Sequence, residues 1–424
     1  MRRTGLLVLV MLLVAGCGTS VAGSATISGP PGRPGPGGGG QPLPLPTVNG
    51  GGHDSGGGAP SWVQPGTRIT WYQGAASVAQ SSYSWVEDPS GPYVDEKTGT
   101  HYRRTDESGE GQGAGGGDGV NQLDILGIQG STVAFQDTLL VLNRETQSWF
   151  LGPSESGTAP AAANSAWLDP AQLSGLTQTA TGAMLVLKGP YPLNGKTYDS
   201  VSVVNPDPSA YSSTTYDTAT GLLLASTTST AGAAQTVAAP GQNPPQGNTE
   251  LTVTRLVGVR QVALPGLGGT NPSWTANGET LTYAGTWSLV NPVDPSSGAV
   301  SAPATMSVRI DAVQGGWASF TSQVSVQSTI ASGSSSKGIT GPAGLYWIDP
   351  AALAKLQAGT TIDTDPITGQ VQTVRSADGS SVVLDTELKG ISTVTAYDRA
   401  SGRLVAMSLT QPGSGTSYQF RLQG

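Results

Sequence analysis

Apolar and polar residues alternate along much of the chain with the period of β-strands. Segments 197–203, 306–310 and 381–384 place β-branched or other apolar residues at about every second position, so that one face of each strand can meet a core while the other meets water. The 61 Gly and 30 Pro residues favour frequent turns between such segments. The pattern predicts a mostly β (α+β) fold of short antiparallel strands.

One short helix is predicted in each half of the chain. Segments 167–173 and 347–353 share the pattern Trp-Leu/Ile-Asp-Pro-Ala-x-Leu. Asp169 and Asp349 stand where a carboxylate can accept hydrogen bonds from the first backbone N–H groups of a helix, and the proline that follows suits the first helical position. The apolar residue before each aspartate can pack on the leucine four positions after the aspartate. A catalytic role is the alternative for both aspartates, but capping already explains them.

The chain from Trp62 onward contains an internal duplication. Four segments recur in the same order, as expected for a repeated structural unit. The pairs are 62–71 with 274–283, 167–173 with 347–353, 216–221 with 397–402, and 255–258 with 421–424.

The duplication predicts two β-rich domains, residues 61–265 and 272–424, each long enough to enclose its own core. Each is expected to be a curved antiparallel sheet or incomplete barrel, with its short helix packed on the concave side. The greater length of the first copy is attributed to loops at 109–119 and 232–248.

An Asp-x-x-Ser/Thr-Gly pattern predicts tight turns at strand ends. An aspartate at the first position can bind backbone N–H groups ahead of it, and the glycine can adopt the left-handed conformation that reverses the chain. The pattern occurs at 95–99, 217–221, 294–298, 365–369 and 398–402. Asp363 and Asp365 also have the spacing of calcium ligands, but the further carboxylates of a calcium loop are missing.

The first seventeen residues have the order of an export signal. Arg2 and Arg3 precede an apolar run, 6–14, that is too short to span a bilayer, and Leu13-Val-Ala-Gly-Cys17 closes it. This pentad resembles the lipobox of bacterial lipoproteins. The resemblance implies that residues 1–16 are a signal peptide and that Cys17 receives a diacylglycerol and an acyl chain such as palmitate. It places the chain on the extracytoplasmic side of the cell membrane, anchored by lipid.

Residues 17–60 are mostly Gly, Pro and small polar residues. Such a segment has too little apolar surface to offset the entropy lost on ordering. It is predicted to be a disordered tether between the lipid and the folded domains.

Charge and cysteine content restrict the classes of partner. Without Arg2 and Arg3, 18 basic residues remain against 28 acidic ones, a balance that repels nucleic acid. Cys17 is the single cysteine, so neither disulfides nor a thiolate metal site are expected to hold the fold. No cofactor is predicted.

The sequence offers little for catalysis. His53 falls in the tether and His101 beside a predicted turn, and no phosphate loop or nucleophile motif is present. Trp167 and Trp347 recur by duplication; core packing is the first interpretation, and a platform for a sugar ring or acyl chain is the second.

Three functions follow as hypotheses. The first is a non-catalytic envelope lipoprotein that binds a lipid-like or glycan ligand or a partner protein; its predicted architecture resembles the LolA/LolB and LppX families of envelope carriers, and this implies an apolar cavity beneath each helix, starting at Trp167 and Trp347. The second is an adaptor with filled cores. The third is a hydrolase of wall polymer or glycans.

Overall fold

The structure is a computed structural model that describes residues 59–79, 82–90, 93–94, 98–107, 119–143, 148–179, 184–205, 210–231, 248–290, 298–327 and 333–424. The predicted signal peptide, Cys17, His53 and nearly all of the predicted tether lie outside the described residues. So do most residues of the two loops that lengthen the first copy.

Nine antiparallel strands form the first sheet, in the order β7-β6-β5-β1-β12-β11-β10-β9-β8. They are β1 (Thr67–Ala79), β5 (Gly119–Gln129), β6 (Thr132–Asn143), β7 (Ser148–Pro160), β8 (Leu185–Leu193), β9 (Lys196–Asn205), β10 (Ala210–Asp217), β11 (Leu223–Ala231) and β12 (Asn248–Gln261). Between β1 and β5 the chain adds a separate sheet of order β2-β4-β3, made of β2 (Ser82–Glu87), β3 (Tyr93–Val94) and β4 (His101–Glu107).

Ten antiparallel strands form the second sheet, in the order β16-β15-β14-β13-β22-β21-β20-β19-β18-β17. They are β13 (Thr280–Val290), β14 (Ala299–Gln314), β15 (Trp317–Val326), β16 (Ser334–Thr340), β17 (Thr361–Thr364), β18 (Val371–Ala377), β19 (Ser381–Leu388), β20 (Ile391–Asp398), β21 (Leu404–Gln411) and β22 (Thr416–Leu422). A 3-10 turn, Pro412–Ser414, joins the last two strands.

The two sheets repeat one topology, and the predicted fold class is confirmed. In both, the first strand lies at the centre beside the last strand, with three strands on one side and the later strands on the other. Cross-strand pairs correspond residue by residue: Ile125 faces Phe135 where Ile310 faces Phe320, and a bulge follows both pairs. We call the sheets with their helices repeat 1 and repeat 2. Repeat 2 has an extra edge strand, β17, and repeat 1 has the β2–β4 insertion.

A short helix follows the fourth strand of each repeat: α1 (Pro170–Gly175) and α2 (Pro350–Leu353). Asp169 and Asp349 are the N-cap residues, and each Oδ1 accepts a hydrogen bond of 2.8 Å from the backbone N–H two residues ahead. Leu173 and Leu353 are fully buried, so each helix is fixed by its cap and one apolar anchor.

The outer edge strand of the first sheet, β8, is protected from further pairing. The β8–β9 hairpin turns at Asn194 and Gly195, with φ of 52° and 77°, and such two-residue turns fix which backbone groups point outward. Val186 directs its N–H and C=O away from β9, and both groups are hydrogen-bonded to Thr179. Pro190 and Pro192 share that outward register and have no N–H to offer.

Candidate functional site

The outer face of β5, β6 and β7 packs on the inner face of the second sheet. Leu140 is 2% exposed and belongs to the same apolar cluster as Tyr283 and Phe320 of repeat 2. Val120 and Leu151 extend this contact. Repeat 1 therefore closes the open side of the second sheet, in the face-to-face arrangement of packed β-sheets. Each repeat has its own apolar cluster, and the cluster of repeat 2 also includes these residues of repeat 1.

Little space is left between the two sheets where β7 meets repeat 2. The void left between Phe320, Tyr346 and the facing side chains of Ser156 and Leu126 has a volume of about 10 Å³, which admits at most one water molecule. Side chains of repeat 1 thus contact the apolar cluster of repeat 2 on the side where the carrier resemblance implies a cavity.

Side chains also satisfy backbone groups across the junction. Ser156 on β7 donates its hydroxyl to the Ile339 carbonyl at 2.9 Å and accepts from the Ile339 N–H at 3.0 Å. It thereby supplies both bonds that a neighbouring strand would give the edge strand β16. The Gln411 Oε1 accepts from the Leu151 N–H at 3.1 Å. These bonds protect one edge of the second sheet and fix the position of β7.

A buried ion cluster forms the other end of the junction. Arg68 on β1 binds both carboxylate oxygens of Asp124 at 2.6 and 2.8 Å, and its Nη1 lies 3.2 Å from Asp365 Oδ2. Arg260 on β12 binds both oxygens of Asp363 at 2.9 and 2.7 Å, and its Nη2 lies 3.3 Å from the same Asp365 oxygen. Two forked guanidinium groups of repeat 1 thus hold the β17–β18 turn of repeat 2.

Asp365 carries two functions on its two oxygens. Its Oδ1 accepts from the Ile367 and Thr368 N–H groups at 2.8 and 3.3 Å, as predicted for a turn aspartate, while Oδ2 accepts from Gln122 Nε2 at 2.6 Å. Its side chain is 0% exposed. Burial by itself would raise the pKa of this carboxyl, but the Arg260 charge, the Ile367 N–H and the Arg68 charge outweigh it and hold the pKa below its ordinary value.

The calcium alternative for Asp363 and Asp365 has no support in their surroundings, because both carboxylates are bound to arginine. Within the described residues, no group of three or more His, Cys, Asp or Glu side chains is arranged to hold a metal ion. His101 is exposed at the start of β4.

The sequence contained one usable signal for this junction. Arg68 aligns with Thr280 and Asp124 with Arg309 when the repeats are superimposed by strand register. A charge that is lost or reversed between the copies marks a position where the copies have different surroundings. The strand β17, which carries Asp363, has no counterpart in the first sheet, and comparison of the two copies by sequence gave no sign of it.

The recurring tryptophans lie in the cores. Trp167 and Trp347 are 1% and 0% exposed, and each meets a second tryptophan edge-to-face, Trp62 at 5.9 Å and Trp274 at 5.6 Å between ring centroids. Each indole N–H is hydrogen-bonded, Trp167 to the Ala161 carbonyl at 2.8 Å and Trp347 to a side-chain oxygen at 3.0 Å. This packing accounts for both residues; their alternative role in ligand binding stays a prediction.

The inner face of the first sheet carries a pair of carboxylates. Asp137 lies opposite Glu155 on the neighbouring strand and accepts from Asn121 Nδ2 at 3.3 Å. Within the described part of the chain, the buried Oδ1 atoms of Asp137 and Asn121 have no hydrogen-bond partner. Burial, together with the Glu155 charge, raises the pKa of Asp137 to about 6. Repeat 2 has the neutral pair Ser322 and Ser336 at the equivalent positions, joined by a 2.7 Å hydrogen bond.

A groove of about 360 Å³ lies on the outer face of the second sheet, across β13, β22, β21 and β20. Ala284, Ala396 and Ala406 line it, and Arg421 stands at its rim. A side chain at Gly285 would come within 1.8 Å of the Gln419 carbonyl oxygen, so part of the floor is bare backbone.

The comparisons with known proteins assign no family. No protein-family model matches the chain, and no curated protein matches it. The solved structures similar to it include MucB in complex with MucA(peri) and the MucA/MucB complex of Pseudomonas aeruginosa. Each is 11% identical, covers 84% of this chain and 89% of its own, and superimposes with a TM-score of 0.19. A superposition with so low a TM-score supports no conclusion about this chain.

No helix in the described part of the chain is long and apolar enough to cross a membrane.

Proposed function

We propose that this chain is a non-catalytic envelope lipoprotein, anchored through Cys17 on the extracytoplasmic side of the membrane, that acts as an adaptor for a partner protein. The observation that carries the proposal is the shared core. A carrier needs an accessible apolar cavity, whereas Leu140, Val120 and Leu151 of repeat 1 occupy the inner side of repeat 2.

With the inner side of repeat 2 covered by repeat 1, the surface of the pair is left as the means of recognition. The ion cluster and the Ser156 bonds fix the two repeats to each other, so the surfaces of both repeats are presented in one arrangement. A rigid surface binds a partner at a lower entropic cost than a mobile one.

The adaptor function is tested by looking for a bound ligand. The chain is purified without detergent from the envelope of a host that exports it with Cys17→Ser, so that no anchor lipid is attached. Native mass spectrometry and solvent extraction are then expected to give the bare polypeptide mass and no stoichiometric lipid or glycan. One lipid or glycan per chain would overturn the adaptor proposal and restore the carrier.

The anchor is tested separately. Cells expressing the wild-type chain are labelled with an alkyne fatty acid, and label is expected on the protein, which should sediment with membranes. Cys17→Ser should lose the label, while the matched variant Ser20→Ala should keep it. Label that survives in Cys17→Ser would refute lipidation at this residue.

A further inference from the structure

The groove on the outer face of the second sheet can be compared with the equivalent positions in repeat 1. Across four adjacent strands, strand register aligns Tyr72-Arg255-Ala225-Thr215 with Ala284-Arg421-Ala406-Ala396. Arginine and one alanine are common to both rows, and Thr215 exceeds Ala396 by a hydroxyl and a methyl group. The large difference is the phenol ring of Tyr72, which Ala284 replaces with a methyl group.

Exposure follows this difference. Ala225 and Thr215 face away from the core of repeat 1, yet they are 8% and 5% exposed. Their equivalents Ala406 and Ala396 are half-buried and line the groove. In repeat 2 the outer face therefore has an open volume where repeat 1 carries an aromatic side chain.

We propose that this groove is a docking site for an aromatic side chain of a partner protein, in a segment that also carries a carboxylate. The groove volume of about 360 Å³ suits one or two side chains and is at the small end of ligand pockets. Aromatic side chains filling a pocket are the usual anchors of protein interfaces.

The positive charge at the rim of the groove predicts which type of residue lies next to the aromatic residue in the partner. The Arg421 guanidinium is exposed and has no ion-pair partner among the described residues. Gln419 donates to Thr286 Oγ1 at 3.2 Å, so it is already engaged. A carboxylate next to the aromatic residue would form a charge-assisted bond with Arg421. This proposal deepens the adaptor function and depends on it.

The first test uses capped tripeptides and the mature chain with Cys17→Ser, labelled at alanine methyl groups for NMR. Glu-Tyr-Glu is expected to shift the methyl signals of Ala284, Ala396 and Ala406. Glu-Ala-Glu should bind at least about tenfold more weakly, because the anchor is lost, and Lys-Tyr-Lys several-fold more weakly, because it repels Arg421.

Two variants locate the site. Ala284→Tyr places in repeat 2 the residue that repeat 1 already has, and it should abolish the shifts while leaving the melting temperature unchanged. Tyr72→Ala should open the equivalent groove and add a second set of shifts at Ala225. Unchanged binding to Ala284→Tyr, or equal shifts from Glu-Ala-Glu, would overturn the proposal, as would methyl shifts caused by N-acetylglucosamine or a short-chain phospholipid in place of the tyrosine peptide.

Photo-crosslinking in the envelope separates this proposal from the adaptor function. A benzoylphenylalanine is placed at position 408 in the groove or at position 323, an exposed site on β15. One discrete adduct from position 408 alone agrees with the groove. An adduct from position 323 alone would support a partner protein but refute docking in the groove. The absence of adducts from both positions, together with peptide titrations that cause no methyl shifts, would also refute docking in the groove.

Discussion

Single residues at the junction have functions that their local motifs do not reveal. Asp365 shapes a turn with one oxygen and binds Gln122, Arg68 and Arg260 with the other. The turn function requires only residues 365–369, so the motif predicts it. The second function requires strands more than a hundred positions away in sequence, so no local pattern could indicate it.

Asp365→Asn is expected to lower the free energy of unfolding by about 2 kcal/mol at neutral pH. The amide keeps an oxygen for the turn but removes the charge that faces two buried guanidinium groups, and Asp124 and Asp363 compensate only in part. Urea unfolding measures the change. Asp378→Asn, at an exposed turn with similar bonds to the backbone, is the control and should change stability much less. Equal effects of the two variants would show that the interface charge is unimportant.

The lowered pKa of Asp365 predicts how the stability of the fold decreases at acid pH. Because the pKa of Asp365 is lowered on folding, its contribution is present above the unfolded pKa of about 4 and is lost as pH falls through the lower folded value. Wild-type stability should therefore drop below about pH 4, and Asp365→Asn should show a smaller drop there. Melting temperatures between pH 2 and pH 7 test this, and parallel curves for the two proteins would contradict it.

Asp137→Asn is expected to stabilise the protein at pH 7, opposite in sign to Asp365→Asn. The folded pKa of Asp137 is raised to about 6, so the native state binds more protons than the unfolded state between about pH 4 and pH 6, and stability falls as pH rises through that window. Asparagine has no charge to bury, and its amide can donate to the unpartnered Asn121 Oδ1.

The gain should be about 1–2 kcal/mol at pH 7, after discounting for the exposed part of the side chain, and should disappear by pH 4. Thermal unfolding at both pH values is the measurement, with Glu155→Gln as a matched variant that removes the neighbouring charge. A destabilised Asp137→Asn at pH 7 would mean that the carboxylate has a partner of its own.

At the scale of elements, several edge strands of the two sheets are restrained against further pairing. Ser156 occupies the edge of β16, the ion cluster holds β17, and Pro190 and Pro192 remove donors from β8. The Ser156 hydroxyl and the two prolines oppose the pairing that an exposed strand otherwise invites, and the ion cluster fixes the position of β17.

Replacing both prolines with threonine, Pro190→Thr with Pro192→Thr, is expected to cause concentration-dependent self-association. Two outward N–H groups return to the edge of β8, next to the exposed apolar residues Met184 and Leu187. Light scattering after size exclusion measures the mass. Pro190→Lys with Pro192→Lys restores the same N–H groups but adds charge, and should remain monomeric. A monomeric threonine variant at high concentration would show that the edge is protected in another way.

The sequence predicts correctly those elements that depend only on residues adjacent in the chain. The caps at Asp169 and Asp349 and the turn at Asp365 each need only a few adjacent residues, and the strand pattern and duplication are readable along the chain. The sequence predicts a turn at 95–99 but not the β2–β4 sheet around it, because this insertion has no copy in repeat 2 to compare. The docking of Leu140 was missed because an apolar residue on a strand does not reveal which of two cores it enters.

For the whole molecule, the two repeats form a head-to-tail pair that stops at two. The outer face of repeat 1 enters the inner face of repeat 2, and such heterologous contacts continue indefinitely unless one surface changes. The change is visible at equivalent positions: Val120 and Leu140 of repeat 1 correspond to the exposed Thr305 and Ser325 of repeat 2. At these two positions the outer face of repeat 2 is polar where that of repeat 1 is apolar, so the contact that joins the repeats is not offered again there.

The shared core predicts that both repeats unfold in one transition. Leu140→Ala removes a side chain that is 2% exposed and belongs to the core of repeat 2, so it should cost about 2–4 kcal/mol. Although the mutation lies in repeat 1, hydrogen exchange should speed up by a similar factor at Phe320 and Tyr346 of repeat 2 and at Ile125 of repeat 1, because all of them open together. Ser325→Ala, the equivalent position on an exposed face, should change neither quantity. If Leu140→Ala instead separates two transitions, with repeat 1 retaining its protection, the repeats fold independently and the junction is a docking contact between two complete domains.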